Sequence, residues 1–556
     1  MYGRMHQKKN SMMKKFKLYL IKNISSTLTS LSIPNVDFNL THPRNKEFGD
    51  LSSNLPLLIG SKQKTKPLEI GRIIAENLKE KKLKYIFDIN VTAPGFLNFK
   101  IAPIFFQKQL NLILKEDKGF GKGSIGFGKS ANVEFVSANP TGPLTVGHGR
   151  NAVLGDTISK ILEWQSFDVT REYYFNDAGR QMRVLGESVE ARYYEILGKS
   201  FDFPKDGYQG KYILDIAKHI LKHQGKNLKK GDGIFQKSAE EIIFKEIKRS
   251  LIDLGIKFDQ FTNEKSFYEN GDIDELLKAL SDKKLIYKKD DATWFKSSSL
   301  GKEQDRVYIK SSGEPTYRVP DTAYHLNKIR RDYDLIVDIF GADHADTYPD
   351  VIIALKSLGF KTDHIKVLLY QFVTLIQNGQ KIKMSTRQAN FITLDQLIEE
   401  LGSDVVRYFF VMRSMNSHLD FDLDIAKDQS EKNPVFYLQY AYARICNIIK
   451  QTNKEKLNRN KSNDLTLLKH EDEIIMLKHM VRFPEIIDIA YENLEPQYIA
   501  NYLQQLASFF HKFYSHCKVI TDDADLTNAR IQLIKAVKII LSNGFNILGI
   551  SSPERM

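Results

Sequence analysis

Hydrophobic positions divide this chain into stretches of different period. From about Phe16 to Ile101 an amphipathic opening leads into a mixed pattern. In Pro67-Leu68-Glu69-Ile70-Gly71-Arg72-Ile73-Ile74-Ala75-Glu76-Asn77-Leu78 the apolar residues recur at helical spacing, while Val91 to Lys100 reads as a turn followed by a strand. Glycines 119, 121, 123, 126 and 128 then suggest a flexible connection. Val133-Glu134-Phe135-Val136 has the pattern of a buried strand, and it passes through Asn139-Pro140-Thr141-Gly142-Pro143 into Gly147-His148 at a helix start. Between Asp156 and about Ile448 short β-rich runs alternate with helical ones, as in a parallel sheet covered on both faces. A helical, charged stretch at about 186–294 interrupts that rhythm and reads as an insertion. After Asn433 the pattern is almost wholly helical.

These periods predict an α/β protein: a Rossmann-type parallel-sheet core at 120–430 carrying the insertion, a small α+β domain at 1–103 and an all-α bundle at 431–556. The 556 residues leave room for three or four cores, and no apolar run nears the ~20 residues of a bilayer-spanning helix, so no membrane partner is expected. An excess of 81 Lys and Arg over 68 Asp and Glu leaves +13, which favours a polyanionic partner, nucleic acid first. Cys446 and Cys517 fit neither a metal-ligand spacing nor a disulfide framework, so no metal site is predicted and a reducing compartment is. The opening is rich in lysine (Lys8, Lys9, Lys14, Lys15, Lys17, Lys22) with no acid before Asp37. Lysine rather than arginine favours a cytoplasmic protein with a basic extension over an import segment.

Candidate chemistry collects at the glycine turns. The N–H groups at the start of a helix point outward unpaired, and Gly147, lacking a Cβ, lets a phosphate or purine approach them, with His148 placed to donate a hydrogen bond. Lys381-Ile382-Lys383-Met384-Ser385-Thr386-Arg387 follows Asn378-Gly379-Gln380, a lysine-dense loop able to close over a triphosphate. Gly341-Ala342-Asp343-His344 ends the apolar run Leu335–Phe340 and can offer a carboxylate to ribose and an imidazole to adenine. Glu134 and Asp321 are carboxylates in segments expected to line the core, where a planar guanidinium with its five donors can satisfy both; read singly, either acid fits a structural ion pair better.

The Gly-His run resembles the first nucleotide motif of class I aminoacyl-tRNA synthetases, and the Lys383 segment resembles their mobile Lys-Met-Ser loop. Glu134 to Pro140, Asn176-Asp177-Ala178-Gly179, Tyr317 to Asp321 and Leu548 to Met556 resemble arginyl-tRNA synthetases from the N-terminal domain to the last residue. The resemblance implies ATP-dependent attachment of L-arginine to tRNA(Arg) through an arginyl-adenylate. Glu134, Tyr317 and Asp321 would hold the guanidinium, Ser137 and Asn139 the backbone groups of the amino acid, and Gln371 would complete the pocket. Gly147, His148, Gly341, Asp343, His344, Lys383 and Ser385 would bind ATP, which enters with Mg²⁺, and His148, Lys383 and Thr145 would be catalytic. It further implies a monomer whose N-terminal domain touches the tRNA elbow and whose helical region from Asn433 to Arg444 reads the anticodon, with only some of Tyr437, Tyr440 and Tyr442 facing outward. Two departures stand out: Thr145 occupies the place of the motif's first histidine, and Thr386 that of the loop's second lysine. Neither threonine carries charge, so a slower enzyme is expected. A tRNA-binding paralogue without catalysis and a class I synthetase for another amino acid are the alternatives.

Overall fold

The computed structural model describes residues 12–43, 45–382, 392–454 and 464–556. Three antiparallel strands, in the spatial order Leu51–Ser53, Phe96–Ile101, Ile86–Thr92, form the sheet of the N-terminal part. Helix Pro67–Glu80 opens with proline in its first turn, where no N–H is missed, and buries the stripe Ile70, Ile74, Ala75 and Leu78.

Five parallel strands make the central sheet, in the order Ile365–Tyr370, Leu335–Gly341, Ser130–Glu134, Asp168–Phe175, Gln260–Asn263. Ser130–Glu134 is the middle strand, and the chain order reverses on either side of it, which opens a crevice beyond its C-terminal end. Register puts Glu134 opposite Asp338 on one neighbour and Glu172 on the other. Residues level with one another in a parallel sheet share a face, so three carboxylates lie in a row about 4.8 Å apart per strand.

The stretch predicted as one insertion is two excursions. Helices Gly179–Ile196, Lys211–Gln224 and Ile234–Asp253 leave the sheet, and the chain then returns as Gln260–Asn263, paired in parallel with Glu172–Phe175. A second excursion follows, with two short helices and the antiparallel strands Ile286–Lys289, Ala292–Phe295 and Arg306–Ile309. Four residues with one large apolar side chain, Phe261, carry too little pattern to betray a strand.

The glycine-rich run is not a slack connection either. A Cβ on Gly123 would lie 1.7 Å from Gln165 Oε1, and one on Gly126 would lie 2.1 Å from the Phe167 ring. Glycine is needed there because backbone presses against the end of helix Val146–Trp164. Helices Pro434–Lys454, Glu471–Met480, Phe483–Asn493, Gln497–His516 and Ala524–Leu548 complete the chain as a bundle. The last of these is long and apolar enough to cross a bilayer, but 67% of its most apolar window is buried among its neighbours. Between the N-terminal part and the bundle, Glu485 receives Lys17 and His42, each at 2.8 Å, and Lys478 reaches Asp50 at 2.6 Å.

Candidate active site

Helix Val146–Trp164 begins at the crevice. Thr145 is its N-cap: the hydroxyl accepts the His148 N–H at 3.4 Å, and His148 Nδ1 accepts the Thr145 N–H at 3.2 Å. Burial holds the His148 imidazole down at about 4, so the ring is neutral at pH 7. With Nδ1 accepting, the ring's proton sits on Nε2, leaving a donor. A Cβ on Gly147 would meet only Thr145 Oγ1, at 3.7 Å, so its outer side is open. Thr145 also pairs with Thr393, and Leu394 N–H donates to Leu144 O at 2.8 Å. Lys383, Ser385 and Thr386 lie outside the described residues, but this bridge ties the chain just beyond them to the helix start.

After Glu134 the backbone makes a tight reversal. Val136 has φ +65° and Ser137 φ +43°, and Ser137 N–H bonds Phe135 O across one residue at 2.9 Å. This γ-turn conformation is strained for a β-branched residue, costing about 1–3 kcal/mol. Asn151 of helix Val146–Trp164 steadies it, accepting Val136 N–H and donating to Ile339 O, both at 3.0 Å. Ser137 Oγ donates to Glu134 Oε1 at 2.8 Å and accepts Tyr174 N–H at 3.1 Å. Asn139 is bonded at both ends, by Asn176 N–H at 2.9 Å and to Gln181 at 2.9 Å. Both side chains therefore have inward partners already.

The row of acids has its own cations. Lys328, fully buried, bonds Glu134 Oε2 and, at 2.5 Å, Asp338 Oδ1. Arg331 grips Glu172 at 2.8 and 3.1 Å. Burial raises Glu134 above the usual carboxylate range, with Lys328 pulling the other way. Burial also opposes ionisation of Asp338, yet Lys328 and His325 outweigh it and hold that carboxyl low. His325 bonds Asp338 Oδ2 at 3.1 Å and Asp321 O at 2.8 Å. Glu134 is thus an ion-pair partner, as its residue type read singly suggests; its cation sits two turns beyond Asp321 on helix Arg318–Arg330.

Asp321 differs. Among the described residues its carboxylate has no hydrogen bond or ion pair, and burial, only partly offset by His325, pushes it up to about 7. Glu134 and Glu264 are near enough to add to that rise. Tyr317, four residues earlier, caps the same helix and is 72% exposed. Gln371 follows the strand Ile365–Tyr370, and there its carbonyl accepts Arg150 Nη1 at 2.6 Å and its N–H reaches Met415 O at 2.9 Å. Arg150, fully buried, also bonds Ser417 O at 3.1 Å and Ser414 O at 2.9 Å. Gly341 closes the adjacent strand with Asp343 and His344 exposed just beyond it. Among the described residues, one trio brings three possible metal-ligating atoms within 4.8 Å: Glu134, His325 and Asp338. Lys328 already bonds two of them, so the trio is built around an ammonium.

Sequence reasoning missed Lys328, His325, Asp338 and Tyr324. The signal was present: Asp321, Tyr324, His325 and Lys328 fall at i, i+3, i+4 and i+7, one face of one helix.

Comparison with known proteins agrees along the whole chain. Residues 18–101 match the arginyl tRNA synthetase N-terminal domain, 109–408 the catalytic domain of class I (R) tRNA synthetases, and 438–556 the DALR anticodon binding domain. The arginine–tRNA ligase of Desulfotalea psychrophila is 46% identical over 518 residues, spanning 92% of this chain and 94% of its own length. That of Salinibacter ruber is 45% identical over 559 residues, spanning 97% and 100%. The chain belongs to the arginyl-tRNA synthetase family. This synthetase is a class I enzyme that joins arginine to tRNA with ATP. The Thermus thermophilus arginyl-tRNA synthetase shares its fold, with a TM-score of 0.76 at 19% identity over 97% of this chain and all of the other.

Proposed function

We propose that arginine binds with its guanidinium against Asp321 and Glu134, and that MgATP lies across the start of helix Val146–Trp164. The observation that carries this reading is the Asp321 carboxylate, half-buried, without a partner among the described residues and pushed up to about 7, beside a Glu134 already fixed in place. A carboxylate in that condition gains from a cation that brings its own donors, and a planar guanidinium suits two acids better than an ammonium does. Tyr317 offers a ring face at the pocket mouth and Gln371 its far edge. The Ser137–Asn139 turn lies beneath the amino and carboxylate groups.

The arginine carboxylate attacks the α-phosphorus, forming arginyl-adenylate and releasing pyrophosphate. The terminal adenosine of tRNA(Arg) then takes arginine on its 2′-hydroxyl, displacing AMP. Catalysis is positioning plus stabilisation of charge on phosphate oxygens. His148 Nε2–H, the Thr145 hydroxyl and the open helix N–H groups are the donors at hand. Lys383 and Ser385 act from the loop whose far end is tied to Thr145, and Gly341, Asp343 and His344 take the ribose and adenine. Mg²⁺ comes with the triphosphate as substrate. On the bundle, Tyr440 is exposed, stacked on Phe436 with Arg444 4.5 Å above its ring, a surface suited to an unpaired anticodon base. The enzyme works as a monomer, and in the cytoplasm, as its lysine-rich rather than arginine-rich opening suggests.

Asp321→Asn tests the pocket. In tRNA-charging assays kcat/KM for arginine should fall about 100-fold or more, while KM for ATP stays within about threefold. A wild-type KM for arginine in this variant removes the assignment.

A further inference from the structure

Resting on the arginine pocket above, we propose that Lys328 is a positioning residue for arginine recognition, the permanent counter-cation that fixes Glu134 in one orientation and adds to the positive charge that His325 brings to Asp321. The register of the sheet creates the need for it. Glu172, Glu134 and Asp338 stand level on three adjacent strands, and all three are buried. Like charges at that spacing and depth do not stay ionised unaided. Arg331 serves Glu172 at one end of the row. Lys328 serves the other two, with the Tyr324 ring 4.2 Å from its Nζ and Tyr174 stacked behind that ring at 4.3 Å. An ammonium has three protons on one atom and no fixed plane, so it can bond two carboxylates on different strands and still face an aromatic ring.

Both ends of the resulting chain reach the pocket. On one side Lys328 and the Ser137 hydroxyl each hold one oxygen of Glu134, which leaves its remaining lone pairs in a set direction. On the other, Asp338 holds His325, whose Nδ1 meets the Asp321 carbonyl. The groups facing the Asp321 carboxylate are Glu134 from the middle strand, Glu264 beyond the last strand, the hydroxyls of Tyr174 and Tyr268, and His325 and Lys328 of its own helix. Glu264 is satisfied by neutral donors, Tyr174 at 2.9 Å and Asn176 at 2.7 Å, so it adds negative charge without a cation. Within that set His325 lowers the Asp321 carboxyl most, and Lys328 adds a second, permanent positive charge.

Lys328→Met, Lys328→Arg and the double variant Lys328→Met/Asp338→Asn test this, with Asp321→Asn as control. Arginine binds to ionised Asp321, so kcat/KM for arginine rises with pH through about 7 in the parent enzyme. In Lys328→Met, kcat/KM for arginine should fall about 30-fold or more with KM for ATP nearly unchanged, and the midpoint of the pH profile should move alkaline. Lys328→Arg keeps the charge and should return the midpoint toward that of the parent. The double variant removes one acid together with the cation and avoids a buried charge imbalance, so it should fold while keeping the raised KM for arginine. If Lys328→Met does not fold, the double variant supplies the same comparison. An unmoved midpoint with unaltered KM for arginine, or equal losses toward arginine and ATP, overturns the proposal. If Asp321→Asn is impaired in either of those cases, the pocket survives and only Lys328 loses its role; an unimpaired Asp321→Asn sinks both.

Discussion

At the scale of single residues, His148 shows how a hydrogen bond selects chemistry. Its Nδ1 is occupied by the Thr145 N–H and its ring is held neutral, so what it can offer a phosphate is a dipole rather than a cation. His148→Ala should lower kcat by about 100- to 1000-fold with little change in KM for arginine. Because the group loses its charge near pH 4, the wild-type kcat profile should carry no His148 inflection between pH 5.5 and 8. An acid limb near pH 6.5 that vanishes in the variant would contradict this. The place of Gly147 and His148 at a helix start and of Glu134 in a buried strand was legible in the sequence, because turn chemistry and apolar runs leave marks on a linear pattern. The partner of Glu134 was not, because Lys328 is separated from it by nearly two hundred residues and a lysine in a helix looks like a surface residue. Nor was the left-handed backbone at Val136 and Ser137, since those residue types give no hint of it.

At the scale of elements, the departure at Thr145 gains a physical reason. Threonine is a good N-cap, and here it closes a reciprocal pair with His148 at the head of a 19-residue helix. Thr145→Ala should cost about 1 kcal/mol in denaturant unfolding, and Thr145→Ser should restore most of it. Equal stability of all three would show that the cap contributes nothing. Strands Ser130–Glu134 and Leu335–Gly341 were read from their apolar runs, whereas helix Arg318–Arg330 was passed over although its period is present. Strand Gln260–Asn263 was not legible, because its place is decided by pairing with Glu172–Phe175 rather than by its own residues.

At the scale of the whole molecule, Glu485 pins the N-terminal part to the bundle. Burial opposes its charge, but His42 and Lys17 prevail and hold it at about 2. A folded value below the unfolded one means stability that is present above about pH 4.5 and drains away as pH falls toward 2, with an upper bound of about 3 kcal/mol. Glu485→Gln should therefore flatten the stability profile in that acid window; an unchanged slope there would show the latch to be energetically silent. Arg150 links the remaining pieces. One side chain on helix Val146–Trp164 grips the carbonyls of Gln371, Ser414 and Ser417, so the helix start and the chain after strand Ile365–Tyr370 are tied together. Displacing any one of those three carbonyls would strip a buried guanidinium of a partner, so the cost of orphaning it binds these separate stretches of chain to the head of the helix.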